Sequence, residues 1–225
     1  MATGATAGGG VTGEARLREL ICELARSMFD RGLTSGASGN ISARTSDGAV
    51  LVTPTGRSFG RLDPVDLSRV EAGRHVSGLP PTKEMALHSA FYDTRAGTGA
   101  VVHLHSSHSV ALSMLPGIDP ENALPPLTAY SIMRLGKVKL LPVFLPGDPA
   151  MGEAVRGLAG RRSAVLLANH GPVVAGRDLE AAVHAIEELE ETARLALLTH
   201  GLSPRGLSPA QVREVVDRFG VEWGE

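Results

Sequence analysis

Apolar residues recur at helical spacing in two long stretches of the chain. The first stretch runs from Glu14 to about Gly32, and its apolar residues are Leu17, Leu20, Ile21, Leu24, Ala25 and Met28. The second runs from Asp178 to Thr199, and its apolar residues are Leu179, Val183, Ile186, Leu189, Ala193 and Leu197. Because residues three and four positions apart share one face of an α-helix, the pattern predicts two amphipathic helices.

Shorter apolar runs bounded by turn residues predict strands. Asp47-Gly48 is a hairpin signal between a strand that begins at Ile41-Ser42 and a partner strand at 49–53. Further strands are predicted at 67–71, 74–77, 100–104, 139–144 and 163–168. Helices are predicted at 83–94, capped by Thr82, at 107–115 and at 149–158, with a helical turn at Asp63-Pro64. This alternation predicts an α/β fold with helices around a central mixed sheet.

The chain has 225 residues, of which 43% are hydrophobic and 20% charged, as in folded globular proteins. We predict one domain at 14–225, preceded by a disordered segment at 1–13 that is mostly Gly, Ala and Thr. The net charge of −2, without a large basic block, argues against nucleic acid as a partner. We expect no membrane association and a cytoplasmic location, because no apolar run approaches roughly 18 residues and the first residues do not resemble a signal peptide.

The candidate metal ligands are histidines and carboxylates, because Cys22 is the only cysteine and no disulfide can form within the chain. His103 and His105 are separated by one residue in an apolar run. On an extended segment both side chains point to the same face, where they can bind one cation. By itself, such a pair is more often a surface or core pair without a metal.

Two further residues strengthen the metal hypothesis. His170 follows a predicted strand at its carboxyl end, where open α/β sheets commonly place their sites. Glu84 lies at the start of a predicted helix. The alternatives are a buried histidine satisfied by backbone groups and a helix-start acid without chemical importance. Three histidines and a carboxylate suit zinc or another late first-row ion. His88 and His184 lie in predicted helices and are expected to be structural.

Two loops have the composition of anion-binding turns. Residues 36–40 (GASGN) offer backbone donors and the Asn40 amide, and Thr55-Gly56 offers a hydroxyl and a backbone N–H. Two ordinary turns are the alternative. Neither loop matches the nucleotide-binding P-loop, and no GxGxxG segment follows a strand.

Taken together, these segments resemble the class II aldolase and adducin-like family over roughly Leu17 to Gly201. Its motifs appear in order as SGASGNIS (35–42), TPTG (53–56), PTKE (81–84), VVHLHS (101–106) and ANHG (168–171). The resemblance implies that the metal ligands are His103, His105 and His170, with Glu84 as a ligand or acid/base. It also implies that the phosphate-binding residues are Asn40, Thr55 and Gly56. A three-layer αβα fold and a homotetramer with active sites between subunits are implied as well.

Lys83 departs from the sugar-phosphate aldolases of this family, which tend to have a second serine before the catalytic Glu. PTKE, VVHLHS, TAYSIMRLG (128–136) and LPGDP (145–149) look closest to the 3-oxo-tetronate 4-phosphate decarboxylases. A decarboxylase must hold a carboxylate as well as a phosphate, which a lysine beside the metal would explain. Lys83 could equally be a second phosphate contact, and we count both Thr82 and Lys83 as candidate substrate-binding residues.

The resemblance therefore implies a metal-dependent carbon–carbon lyase. Its expected reaction converts a 3-oxo-tetronate 4-phosphate to dihydroxyacetone phosphate and CO2 through a metal-stabilised enediolate. We expect one divalent metal per subunit, with Zn2+ as first choice and Mn2+ or Co2+ as alternatives. Glu84 is the first choice for the proton shuttle, with Tyr130, from the same or the next subunit, as a partner. The alternatives are a class II aldolase for a deoxy-sugar or pentulose phosphate, and a non-catalytic adducin-like scaffold.

Overall fold

A computed structural model describes residues 13–223. The helices in this range are α1 (Gly13–Asp30), α2 (Met85–Thr94), α3 (Ser107–Ser113), α4 (Ala129–Leu135), α5 (Ala150–Arg156), α6 (Leu179–Leu198) and α7 (Pro209–Phe219). The strands are β1 (Asn40–Arg44), β2 (Val50–Val52), β3 (Ser68–Glu71), β4 (Arg74–Ser77), β5 (Ala100–His103), β6 (Lys139–Leu141), β7 (Ala164–Leu167) and β8 (Gly171–Gly176). The two long amphipathic helices and the hairpin at Asp47-Gly48 are confirmed as α1, α6 and the β1–β2 connection.

The strands form one sheet in the order β4-β3-β2-β1-β5-β8-β7-β6. Neighbouring strands pair antiparallel, except that β6 and β7 are parallel. The predicted mixed sheet is therefore confirmed. At its centre β1 and β8 flank β5, which places the end of β5 beside the start of both neighbours.

Helices cover both faces of the sheet. Val102, Leu166 and Val174 pack in one apolar cluster with Ile21 of α1, Leu112 of α3 and Ile186 of α6. Their neighbours Val101, Val165 and Val173 pack in a second cluster, with Leu87 and Phe91 of α2 and Met151 and Val155 of α5. Because successive strand residues point to opposite faces, the two clusters lie on opposite sides of the sheet. The arrangement is a three-layer αβα fold.

The start of α2 differs from the prediction. Helix 83–94 was expected to be capped by Thr82, but α2 begins at Met85, and Glu84 occupies the N-cap position without a side-chain capping bond. The Thr82 hydroxyl accepts a hydrogen bond from the Glu84 N–H at 3.3 Å instead. Glu84 thus has no capping role to fill, and its carboxylate turns towards β5 and the turn after β7.

Among the α-helices and strands given above, the central strand β8 and helices α4 and α7 were not predicted. The predicted disorder of 1–13 lies, apart from Gly13 in α1, outside the described residues and stays a prediction. Among residues 13–223, no helix combines the length and the apolar character that a bilayer crossing requires.

Candidate metal centre

Four predicted metal ligands converge at the centre of the sheet. His103 is the last residue of β5, His105 follows two residues later, His170 lies in the turn between β7 and β8, and Glu84 precedes α2. One ligand atom from each side chain lies within 4.8 Å of the others. Glu84, His103 and His170 are buried, and His105 is partly exposed. The site therefore has a closed inner side and one more accessible ligand.

The distances within the cluster suit a single small cation. His170 Nε2 lies 3.1 Å from His105 Nε2 and 3.4 Å from His103 Nε2. The two Glu84 oxygens lie 3.5 Å from His103 Nε2 and 3.5 Å from His170 Nε2. Ligands at about 2.0–2.1 Å from a tetrahedral centre lie about 3.3–3.4 Å from one another. The residues present thus fit one divalent metal ion.

The protonation state of the imidazoles also favours a cation. Burial is the largest cause that lowers the pKa of His103, His105 and His170, so all three are neutral at neutral pH. His103 Nδ1 donates to the Pro172 carbonyl at 2.8 Å, which leaves Nε2 with its lone pair facing the cluster. Neutral imidazole is the form that binds metal. Lone pairs this close together in a buried site are stabilised by a shared cation.

Two glycines let the backbone pass close to the histidines. At Gly39, with φ of +83°, a Cβ atom would lie 2.9 Å from the His103 carbonyl oxygen. At Gly171, with φ of +153°, a Cβ atom would lie 2.1 Å from the Leu104 carbonyl oxygen. Any larger residue would push the loop before β1, or the turn after β7, away from the end of β5. Gly39 of the SGASGNIS motif and Gly171 of the ANHG motif are therefore explained by packing around the cluster.

Glu84 is held by Asn40 on the neighbouring strand β1. Asn40 Nδ2 donates to Glu84 Oε2 at 2.7 Å, and Asn40 Oδ1 accepts from His88 Nε2 at 2.5 Å. Burial opposes ionisation of Glu84, but the pKa of its carboxyl is lowered by the facing His103 and by the Asn40 bond. His88 was predicted to be structural, and its link to Glu84 through Asn40 was not predicted. The spacing of four residues between Glu84 and His88 could have indicated the link, because residues four apart lie on the same side of a helix.

A cavity of about 190 Å3 opens beside the cluster and joins the two predicted anion loops. Its lining residues from the sequence prediction are Asn40, Thr55, Gly56, Thr82, Lys83, Glu84 and His105. Pro146 and Gly147, from the LPGDP segment, complete one wall. Within the described chain, neither the Thr55 hydroxyl nor the Gly56 N–H has a hydrogen-bond partner. These donors are available to a ligand.

Among the described residues, Tyr130 is the one predicted site residue that lies neither in the ligand cluster nor in the lining of the cavity. It lies on α4, its side chain is 61% exposed, and it does not line this cavity within residues 13–223. A single copy of the chain therefore does not place Tyr130 in the cavity beside the candidate metal ligands. Its predicted role stays a prediction that depends on another subunit.

Residues 19–197 match the family model for the class II aldolase and adducin N-terminal domain. The chain is 44% identical to the 3-oxo-tetronate 4-phosphate decarboxylase of Escherichia coli strain K12, over 90% of this chain and 96% of that protein. Its identity to the L-fuculose phosphate aldolase of the same strain is 31%, over 91% of this chain and 94% of the relative. The crystal structure of YgbL from Escherichia coli superposes with a TM-score of 0.88 at 43% identity, covering 90% of this chain and 98% of that one.

Proposed function

The chain belongs to the class II aldolase and adducin family, and from this premise we propose that it is a metal-dependent 3-oxo-tetronate 4-phosphate decarboxylase. One observation carries the proposal: the chain is 44% identical, over nearly its whole length, to a relative of that name, against 31% to a sugar-phosphate aldolase. The reaction breaks the bond between the carboxyl carbon and the hydroxyl-bearing carbon. CO2 leaves, the electron pair stays on that carbon beside the ketone, and a proton added there gives dihydroxyacetone phosphate.

We assign Glu84, His103, His105 and His170 as the metal ligands, one ion per subunit, with Zn2+ first and Mn2+ or Co2+ as alternatives. This choice rests on the donor set of three imidazoles and one carboxylate and on their separations. When bound, a divalent cation supplies Lewis-acid stabilisation of the negative charge that develops on the ketone oxygen. The protein residues then have two tasks, to hold the two anionic ends of the substrate and to deliver one proton.

The anionic ends of the substrate are assigned to the cavity beside the metal ligands. We assign the phosphate to the Thr55 hydroxyl, the Gly56 N–H and Thr82, with the second hydrogen of Asn40 Nδ2, since the first is donated to Glu84. We assign the carboxylate to Lys83, whose exposed side chain lines the same cavity. A bound substrate would then have its reacting carbons between its two charged ends, next to His105 and Glu84.

Glu84 is assigned the transfer of the proton to the reacting carbon. Its Oε2, which accepts the Asn40 bond and lies 3.5 Å from His103 Nε2, would be the oxygen that binds the metal, and Oε1 would carry the proton. Tyr130 is proposed as a partner supplied by a neighbouring subunit, because it is exposed and is not among the residues that line the cavity of its own chain. A homotetramer with sites between subunits, a single domain over 14–225 and a cytoplasmic location belong to the same proposal.

The test is an assay of CO2 release from 3-oxo-tetronate 4-phosphates beside aldol cleavage of L-fuculose 1-phosphate, with the same metal-loaded protein. We expect CO2 and dihydroxyacetone phosphate in equal amounts from the acid, and little cleavage of the sugar phosphate. Faster aldol cleavage than decarboxylation would support the aldolase alternative. Protein that binds metal but turns over neither substrate would refute both lyase assignments.

The phosphate assignment predicts a selective effect of Thr55→Val. This change removes the hydroxyl and nearly keeps the side-chain shape, so one hydrogen bond to a charged group, worth about 1.5–3 kcal/mol, is lost. KM for the phosphorylated substrate should rise by roughly ten- to a hundredfold, with metal content unchanged, in steady-state kinetics and elemental analysis. Thr94→Val is the matched control, since its hydroxyl bonds the Ala90 carbonyl within α2 and should leave KM unchanged. An equal loss for an unphosphorylated substrate analogue would argue against a phosphate contact.

A further inference from the structure

A chain of buried hydrogen bonds leads from α2 through β1 to the Glu84 carboxylate. The Tyr92 hydroxyl lies 2.9 Å from Ser42 Oγ, and Ser42 Oγ lies 2.7 Å from His88 Nδ1. His88 Nε2 lies 2.5 Å from Asn40 Oδ1, and Asn40 Nδ2 lies 2.7 Å from Glu84 Oε2. His88 is fully buried and Asn40 is only 6% exposed. This chain of hydrogen bonds is therefore shielded from water along most of its length.

The carboxylate at one end fixes the direction of every bond. An ionised carboxylate only accepts, so Asn40 must present its NH2 group to Glu84 and its carbonyl oxygen to His88. His88 Nε2 must then carry the proton. Burial lowers the pKa of His88 to about 4, so the ring is neutral and its Nδ1 is an acceptor. Ser42 therefore donates to Nδ1, and Tyr92 donates to Ser42.

The direction of these hydrogen bonds means that His88 sets the orientation of the Asn40 amide, in addition to packing in the core. A buried amide can point either end towards a neighbour, and the two orientations have opposite effects on Glu84. If the Asn40 carbonyl faced Glu84, two acceptors would meet in a buried site, which is costly. Among residues 13–223 the Tyr92 hydroxyl has Ser42 as its one hydrogen-bond partner, so Tyr92 donates to Ser42 and Ser42 donates to His88 Nδ1. This keeps the N–H on Nε2 independently of Glu84, and that N–H demands the carbonyl oxygen of Asn40. His88 thus selects the amide orientation that holds the carboxylate.

We propose that His88 is a positioning residue for the metal centre: through Asn40, it fixes the Glu84 carboxylate in the place where it can bind a divalent metal. The inference rests on the proposed role of Glu84 as a metal ligand and not on the identity of the substrate. Groups that orient metal ligands typically contribute ten- to a hundredfold in metal affinity. His88 acts one residue further away, so we expect an effect near the lower value.

Two amide substitutions that differ by one methylene group test the proposal by Zn2+ affinity, measured by competition with a chromophoric chelator. The terminal amide of His88→Gln reaches the position of Nε2 and can still donate to Asn40. The shorter side chain of His88→Asn places its amide near Nδ1 and cannot. We expect His88→Gln to bind Zn2+ within about threefold of the wild type and His88→Asn to bind about tenfold more weakly. Thermal unfolding of the metal-free proteins shows whether both variants fold.

A double substitution separates positioning from general damage. Asn40→Ala removes the only link between His88 and Glu84 in this chain of bonds, so His88→Asn should have little further effect on Zn2+ affinity in that background. Equal affinity of His88→Asn and wild type, or additive losses in the double variant, would overturn the proposal. A wild-type protein that binds no Zn2+, Mn2+ or Co2+ would instead refute the proposed metal site itself.

Discussion

His103→Ala is expected to lose the metal ion and nearly all lyase activity while the protein stays folded. His103 is the most buried of the three histidines proposed as ligands, and its Nε2 lies within 3.5 Å of candidate ligand atoms from both His170 and Glu84. Its removal leaves an incomplete donor set, so metal affinity should fall by at least about a hundredfold. The Lewis-acid contribution of a metal is worth several kcal/mol, so kcat/KM should fall by about a thousandfold or more.

Elemental analysis after dialysis, together with steady-state kinetics, measures both effects. His184→Ala is the matched control, because His184 is exposed on α6 and outside the cluster. Near-ultraviolet circular dichroism of both variants should match the wild type, since alanine at the end of β5 keeps the backbone hydrogen bonds of the sheet. Full metal occupancy in His103→Ala would show that the ion binds elsewhere.

Most residues of the candidate site could be chosen from the sequence because they occur in short, ordered motifs, and the fold brings these residues together. The spacing of His103 and His105 predicted that both lie on one extended strand, and this is right only for His103. β5 ends at His103, so His105 reaches the cluster from the following loop and not from the strand. The pairing of Asn40 with Glu84 was not visible, because it depends on the register of β1 against β5, which places Asn40 opposite His103.

The central strand β8 was missed for a physical reason. Its sequence, GPVVAG, is short, bounded by glycines and contains Pro172, which disfavours a central strand. In the structure Pro172 has no N–H to donate, and it takes part in hydrogen bonding through its carbonyl oxygen instead. It accepts from the Leu104 N–H at 3.2 Å and from His103 Nδ1 at 2.8 Å. Long-range partners of this kind leave no local pattern in the sequence.

Helix α7 was not predicted for a different reason. It has a complete capping box between Ser208 and Gln211, with Pro209 in the first turn and Gly220 at its end. These signals were present in the sequence, but the helix buries few residues, and its apolar stripe is short. Helices α1 and α6 were predicted because they bury a long stripe, which dominates the hydrophobic pattern.

Lys83→Ser is expected to reduce decarboxylation by roughly ten- to a hundredfold in kcat/KM while the metal content is preserved. Lys83 lines the cavity directly before Glu84, and among the described residues its ammonium makes no ion pair within the protein. It is therefore available for the substrate carboxylate. A charge-assisted hydrogen bond to a carboxylate is worth about 1.5–3 kcal/mol, which corresponds to the expected loss. Serine also restores the residue that sugar-phosphate aldolases of this family tend to have.

The two proposed roles of Lys83 predict different kinetics. If it binds the carboxylate, Lys83→Ser should lose decarboxylation, and aldol cleavage of a sugar phosphate, which has no carboxylate, should stay the same or rise. If it is a second phosphate contact, both substrates should be bound more weakly by a similar factor. Lys139→Ser is the matched control, because that lysine pairs with Glu121 on another part of the surface and should change neither reaction. An unchanged kcat/KM for the acid substrate would mean that Lys83 is a solvated residue before the helix, and the preference for decarboxylation over aldol cleavage would need another structural cause.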